Sequence, residues 1–361
     1  MNTFFPKPSS RSVCSALLAM LICICWACSP PAAKEVAIET LLPDTLIESW
    51  QDSIFLKECE AISSYRGRLY VSEYSANRVL VLDKDLSLIE IIGRTGRGPG
   101  ELLGAAFTRG FEDQLVVLDA ENRRVNFYAL AAHYPYLNTI ALPKEAGFVD
   151  TQFDLFSGDS IAISSHLLES PVVVFNQQSN IVQRIGEKGQ YAPDLQIQHH
   201  VFITEHKDIL AVQMMHPIIS RYSREGKLLD QLDLSSHPVL QNAQQHRDAY
   251  IDVLRKRNPP GAKFIAYLFA RADYAKGKLF VIFADIEPEH IGTSHEGNIN
   301  QVFVIEVYPQ MHITRHFLLQ MDESEPEEVL DGFTFFPETN SFVAFSMYSN
   351  MLYRFPLPET P

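Results

Sequence analysis

Two series of short apolar runs recur along the chain at a nearly constant interval. The first comprises Leu69-Tyr70-Val71, Leu115-Val116-Val117, Ile161-Ala162-Ile163, Ile209-Leu210-Ala211-Val212, Leu279-Phe280-Val281-Ile282 and Phe342-Val343-Ala344-Phe345. Each is followed by a polar turn and a second run, and the second runs start at Val79, Val125, Val172, Ile218, Val302 and Met351. Successive starts lie 46, 47, 46, 84 and 49 residues apart. Five of the six units therefore share a period near 46–49, and one interval is stretched by an insertion.

The runs are four to six residues of Val, Ile, Leu, Phe and Tyr bounded by turn residues, which is strand chemistry. A helical solenoid of similar period would need an amphipathic helix in every unit, and none is visible. Several short strands repeated every ~40–50 residues predict an all-β, six-bladed β-propeller. Each four-stranded blade has two apolar faces and can bury both only against its neighbours. The chain is 46% apolar, which fits a packed protein and excludes a mainly disordered one.

The units also match in detail. Glu73-Tyr74-Ser75-Ala76-Asn77-Arg78-Val79 aligns with Asp119-Ala120-Glu121-Asn122-Arg123-Arg124-Val125. Both read acid, four residues, Arg, Val, and the acid and Arg are expected to pair structurally across a hairpin. Ile92-Gly93-Arg94-Thr95-Gly96-Arg97-Gly98-Pro99-Gly100-Glu101 aligns with Ile185-Gly186-Glu187-Lys188-Gly189-Gln190, two blade lengths on.

The last unit has three runs, so its outermost strand must come from the N-terminal side, within 46–57. Ser53-Ile54-Phe55-Leu56 reads as that strand and would close the ring, leaving no open sheet edge. Two insertions stand out. Residues 235–263, between blades four and five, carry one helical face (Val239, Leu240, Ala243, Tyr250, Val253, Leu254). Pro238 suits the helix start, Arg255-Lys256-Arg257 its last turn, and Asn258-Pro259-Pro260-Gly261 its stop. Residues 284–300 lie between the middle strands of blade five. In a propeller the loop within the middle hairpin and the loop entering the next blade share one face, so every long loop here falls on that face.

The N-terminus has a different character. Lys7 and Arg11 precede an apolar run from Val13 to Trp26, broken only by Ser15. That is shorter than the roughly 20 residues a spanning helix needs and fits the core of a secretory signal peptide. The run ends at Ala27-Cys28, followed by the polar, Pro-rich Ser29-Pro30-Pro31-Ala32-Ala33. A small residue before a cysteine resembles a bacterial lipoprotein cleavage site, which would make Cys28 the lipidated first mature residue. The positions three and two before it are Cys25 and Trp26, where the usual pattern has Leu and a small residue. Ordinary signal-peptidase cleavage and an uncleaved anchor are the alternatives. The domain reading is a signal peptide over 1–27, a tether over 28–44 and the propeller over 45–361. Past Cys28 only Cys59 remains, so no intrachain disulfide holds the fold. Without residues 1–27 the chain has 28 basic and 44 acidic residues, a net charge of −16, which repels phosphate backbones and argues against nucleic-acid partners.

The Gly93–Glu101 run, after Val79-Leu80-Val81-Leu82-Asp83, resembles the six-bladed β-propeller lipoproteins of bacteria, relatives of NHL-repeat and TolB-like propellers. The resemblance implies the fold, a cell-envelope location on the periplasmic or outer-membrane surface, and membrane attachment by a lipid anchor only. It implies no catalytic residues.

Candidate sites are few. The 93–101 loop is rich in Gly and Arg but lacks the Gly-Lys-Ser/Thr ending of a P-loop, and Glu101 replaces the last Gly of Gly-x-Gly-x-x-Gly. A structural role is expected for its glycines, with Arg94, Arg97 and Glu101 as ligand contacts. Glu287, Glu289, His290 and His295 form the densest group of potential metal ligands, at a spacing that matches no standard motif. No Gly-x-Ser-x-Gly elbow is present. The reading is a non-enzymatic, envelope-tethered binding or scaffolding propeller that recognises an envelope protein, peptide or glycan on its loop-rich face. No cofactor is predicted, and a divalent metal is the one left open. The alternative is a lactonase-like hydrolase with a divalent metal held by acids and Asn in the central channel.

Overall fold

The computed structural model describes residues 36–50, 54–147, 149, 151–157, 160–187, 197–260, 262, 267–285, 299–321, 330–346 and 349–359. The signal peptide, Cys28 and the candidate ligands Glu287, Glu289, His290 and His295 lie outside these residues. From Ala37 on, the chain is a six-bladed β-propeller. The blades run over 59–92, 105–141, 154–185, 199–233, 269–319 and 330–356, numbered one to six here. Within each, consecutive strands pair antiparallel in chain order.

Every run of the two sequence series is a middle strand of a blade: Arg68–Glu73 and Arg78–Leu82 in blade one, Gln114–Asp119 and Arg124–Ala129 in blade two, and so on. Successive side chains of a strand point to opposite faces. Leu69 and Val71 therefore pack with Phe336, Val343 and Phe345 of blade six, while Tyr70 packs with Leu115 and Val117 of blade two. Both faces are core, so the runs are apolar throughout rather than alternating. Each such side chain, fully buried, contributes about 1.5–3 kcal/mol. The first strands, such as Cys59–Tyr65 and Ala105–Phe111, pack on one another and so line the central channel.

Closure comes from the N-terminal side, as expected, but through a different segment. Thr45–Ile47 pairs antiparallel with Met351–Pro356, the last strand of blade six. Arg354 Nε donates to Asp44 Oδ1 at 2.8 Å and secures that register. Ile54–Phe55, the segment expected to close the ring, instead pairs with Ser49–Trp50 in a small two-stranded sheet that packs over the blade-one core. The stretch read as a tether also contributes a strand. Ile38–Leu41 pairs parallel with His312–Leu319 and gives blade five a fifth strand, reinforced by Arg315 on Glu39 at 3.0 and 2.7 Å.

The helix Pro238–Arg257 stands between the blades 199–233 and 269–319, where the sequence places it. It begins on Pro238, carries Arg255, Lys256 and Arg257 in its last turn, and ends at Asn258, whose side chain and backbone N–H both donate to Leu254 O. Leu240 and Ala243 join the core between those blades, and Ile251 packs on Ile197 and Met215.

Candidate functional site

Three places in the propeller bring polar side chains together: the Gly-rich loop, the channel, and a pocket between blades three and four.

The Gly-rich loop is organised from within. Glu101 Oε2 accepts the Gly98 N–H at 2.7 Å, and Glu101 Oε1 receives Arg94 Nε at 3.1 Å. These donors hold the Glu101 carboxyl below its ordinary range, the Gly98 N–H first. A Cβ on Gly96 would sit 2.1 Å from Glu101 Oε2, so a larger residue there would have to push the carboxylate off the Gly98 N–H. The carboxylate thus occupies the place that an anion would need in a Gly-rich cradle. The loop is clamped onto blade two by Arg124, which donates to the backbone oxygens of Arg97, Gly98 and Glu101 at 3.1, 2.9 and 2.7 Å. Arg124 is aimed by Asp119 at 2.8 Å, and Arg78 pairs with Glu73 in the same way in blade one. Both acid–Arg pairs are structural, as read from the sequence. Burial pushes the Glu73 carboxyl up against the opposing pull of Arg78. The side chains of Arg94 and Arg97 stay exposed.

The channel carries charge, but the charge is paired. Ser63, Arg109, Asp154, Phe202, Asp273 and Thr334 pair with Tyr70, Val116, Ala162, Leu210, Phe280 and Val343 of the adjacent strands, so they hold one level of the ring. Asp154 takes two hydrogen bonds from Arg109 and one each from the backbone N–H groups of Leu155 and Ile203. Asp273 accepts from Tyr274 N–H, Thr334 Oγ1 and Phe335 N–H. One level further along, Arg271 of blade five reaches across to Glu60 of blade one, with Nη2 3.1 Å from Oε1 and Nε 3.2 Å from the backbone oxygen. A divalent ion would have to displace guanidinium groups or backbone donors from these acids. Among the described residues no group of three or more His, Cys, Asp or Glu is placed to hold a metal.

Beside this level, His200 joins three blades. Its Nδ1 accepts the Gln152 N–H at 3.3 Å and its Nε2 faces Ala270 O at 3.2 Å. The arrangement requires the neutral ring with its proton on Nε2, and burial, aided by Arg271, holds the pKa down to about 3.

The pocket lies where the middle-hairpin loop of blade three meets the sheet of blade four. Its cavity volume is about 180 Å³. Ser165, Leu168, Ser170 and Pro171 come from that loop, and Ala211, Gln213, Ile218, Ser220, Tyr222 and Gln231 from blade four. Glu187, Ile197 and His199 complete the described lining. Gly186 has φ +74°, and a Cβ there would meet Tyr222 Oη at 2.7 Å and Pro171 Cγ at 3.1 Å. The glycine aligned with Gly93 in the sequence therefore lets the tyrosine and proline close on the backbone. His199 is 9% exposed, its N–H donates to Ser164 Oγ at 3.1 Å, and its Nδ1 lies 3.5 Å from the same oxygen. Burial and the neighbouring His216 hold its pKa down to about 4, so the ring is neutral at pH 7.

Sequence reasoning missed this pocket. Its one visible trace is polar residues at buried strand positions, Gln213 and Ser220, inside otherwise apolar runs. Arg94, Arg97 and Glu101 are brought together in one loop but do not line it.

Among known families, DUF5128, described as a 6-bladed beta-propeller, matches residues 49–156, the first two blades and the start of the third. No curated protein matches the sequence. A protein of Bacteroides fragilis NCTC 9343 described as exported superposes with a TM-score of 0.53 at 12% identity, covering 88% of this chain and 99% of its own. A member of the DUF4221 family from Bacteroides vulgatus ATCC 8482 superposes with a TM-score of 0.53 at 10% identity, covering 89% and 97%. At such identities the likeness is one of fold.

Proposed function

We propose that this chain is an envelope-tethered binding or scaffolding module without catalytic activity, which recognises its ligand on the loop-rich face. The carrying observation is the contrast between the two polar regions of the ring. The described channel acids Asp154, Glu60 and Asp273 are engaged by guanidinium groups, a hydroxyl or backbone N–H groups. The pocket between blades three and four presents hydroxyl, amide and imidazole groups around open volume. Ligand recognition from loops set on a rigid frame is the usual division of labour in such scaffolds.

The apolar run ending in Ala27-Cys28, with a Pro-rich segment behind it, supports lipidation of Cys28 and an address on the periplasmic or outer-membrane surface. An envelope protein, a peptide and a glycan are the partner classes in view. Tethering suits such a role because it keeps the receptor where envelope ligands are concentrated.

The decisive experiment is elemental analysis of the purified protein, followed by a lactone and ester hydrolysis panel with and without chelator. A metal-free, inert protein is expected. Stoichiometric metal with chelator-sensitive turnover would replace this reading with the metal-dependent hydrolase. In parallel, Cys28→Ala should release the protein from membranes; retention of an unprocessed chain would make the N-terminal segment an uncleaved anchor.

A further inference from the structure

Resting on the binding-module reading, we propose that the pocket between blades three and four is a receptor for a neutral saccharide ring. The hydrogen-bond character of the pocket wall matches that of a sugar. Ser220, Tyr222, Gln231 and His199 line the pocket, and each of their side chains can both donate and accept. A sugar hydroxyl has the same double character, so it can satisfy such groups in either sense. Gln231 Nε2 donates to Ser220 Oγ at 3.1 Å, which couples these two groups in the pocket wall. His199 is buried and neutral, and its Nε2 has no hydrogen-bond partner among the described residues.

Other ligand chemistries fit less well. The only charged group in the described lining is Glu187, and no Lys or Arg is there to meet it. Among the described residues a phosphate or carboxylate would encounter one negative charge and no cation. Among the described residues a metal ion would find one carboxylate and one imidazole, short of a coordination shell. An extended peptide gains affinity by adding to an exposed sheet edge. The blade-four strands at this pocket, Ile209–Gln213 and Ile218–Tyr222, are paired on both sides. The apolar share of the wall, including Leu168 and Pro171, suits the C–H face of a pyranose. The volume far exceeds the ~10–15 Å³ needed for one water.

The test is ligand-observed NMR and calorimetry on the processed protein with the methyl glycosides of glucose, galactose, mannose and N-acetylglucosamine. A serine-rich neutral peptide and inorganic phosphate serve as counter-probes. At least one glycoside should bind saturably in the millimolar range. Gln231→Ala should weaken it about tenfold, one lost hydrogen bond's worth. Ser170→Trp, at the half-buried rim, should abolish it without lowering the melting temperature. If no glycoside binds, the saccharide assignment is wrong. If the peptide or phosphate binds instead and Ser170→Trp blocks it, the pocket is a receptor of another class and the binding-module reading stands. Glycoside binding unchanged by Ser170→Trp would place the sugar elsewhere and overturn the proposal.

Discussion

Arg109 of blade two grips Asp154 of blade three with two hydrogen bonds, Nε to Oδ1 at 3.0 Å and Nη2 to Oδ2 at 2.7 Å. The same carboxylate accepts the Ile203 N–H of blade four at 2.8 Å, so one side chain ties three blades at the channel wall. Asp154→Ala would leave the largely buried Arg109 guanidinium and the backbone N–H groups of Leu155 and Ile203 without their partner. Urea unfolding should show a loss of about 3–5 kcal/mol. Replacing both partners, with Arg109→Met and Asp154→Leu, should recover part of that loss, because no uncompensated charge remains. A single-mutant loss under ~1 kcal/mol would show that the grip is not structural.

The histidines predict an acid limit to stability. His200 must be neutral to accept the Gln152 N–H, and its folded pKa of about 3 lies well below the ordinary value of 6.5. His199 and His316, both at about 4, behave alike. The unfolded chain takes up these protons near pH 6.5 and the folded chain does not, so stability is complete above 6.5 and falls as pH drops toward 4 and then 3. Each such histidine contributes a slope of about 1.4 kcal/mol per pH unit within its window. Asp273 and Glu73, pushed up by burial, act in the opposite sense and moderate the loss at its acid end. Urea midpoints should stay level from pH 7.5 to about 6.5 and decline from there to pH 4, and His200→Gln should flatten the decline. A flat profile for the unaltered protein would contradict the neutral assignments.

The N-terminal strands predict a graded response to truncation. Deleting 29–43 removes Ile38–Leu41 from blade five, which keeps its other four strands. Deleting 29–47 also strips Thr45–Ile47 from blade six, which is left with three. The shorter deletion should lower the unfolding midpoint modestly. The longer one should lower it sharply while unfolding stays a single transition, since the whole ring depends on closure. Equal midpoints for the two variants would remove Thr45–Ile47 from its closing role.

The middle strands were legible because both faces of them are core, which leaves an unbroken apolar run such as Arg78–Leu82 after its Arg. Outside the last unit the first strands were not, since they mix core residues with channel residues: Ala105–Phe111 carries Phe107 and Arg109 two positions apart. The closing strand was misplaced for a similar reason. Leu46-Ile47 and Ile54-Phe55 are equally short and apolar, and the deciding contact, Asp44 with Arg354, spans almost the whole chain. The pocket left little trace because its walls come from separate blades. What marks it, Ser220 and Gln213 at core-facing strand positions, looks in sequence like ordinary interruptions.

The parallel seating of Ile38–Leu41 has a mechanical consequence. Any pull on the chain from its N-terminal side reaches this strand before it reaches Thr45–Ile47. Its four registered pairs run from Ile38 on His316 to Leu41 on Leu319, with Glu39 locked to Arg315 beside them. A load along the strand axis must shear these bonds together, whereas a load across it could open them one at a time. A pull from that side therefore loads blade five before it loads the seam in blade six.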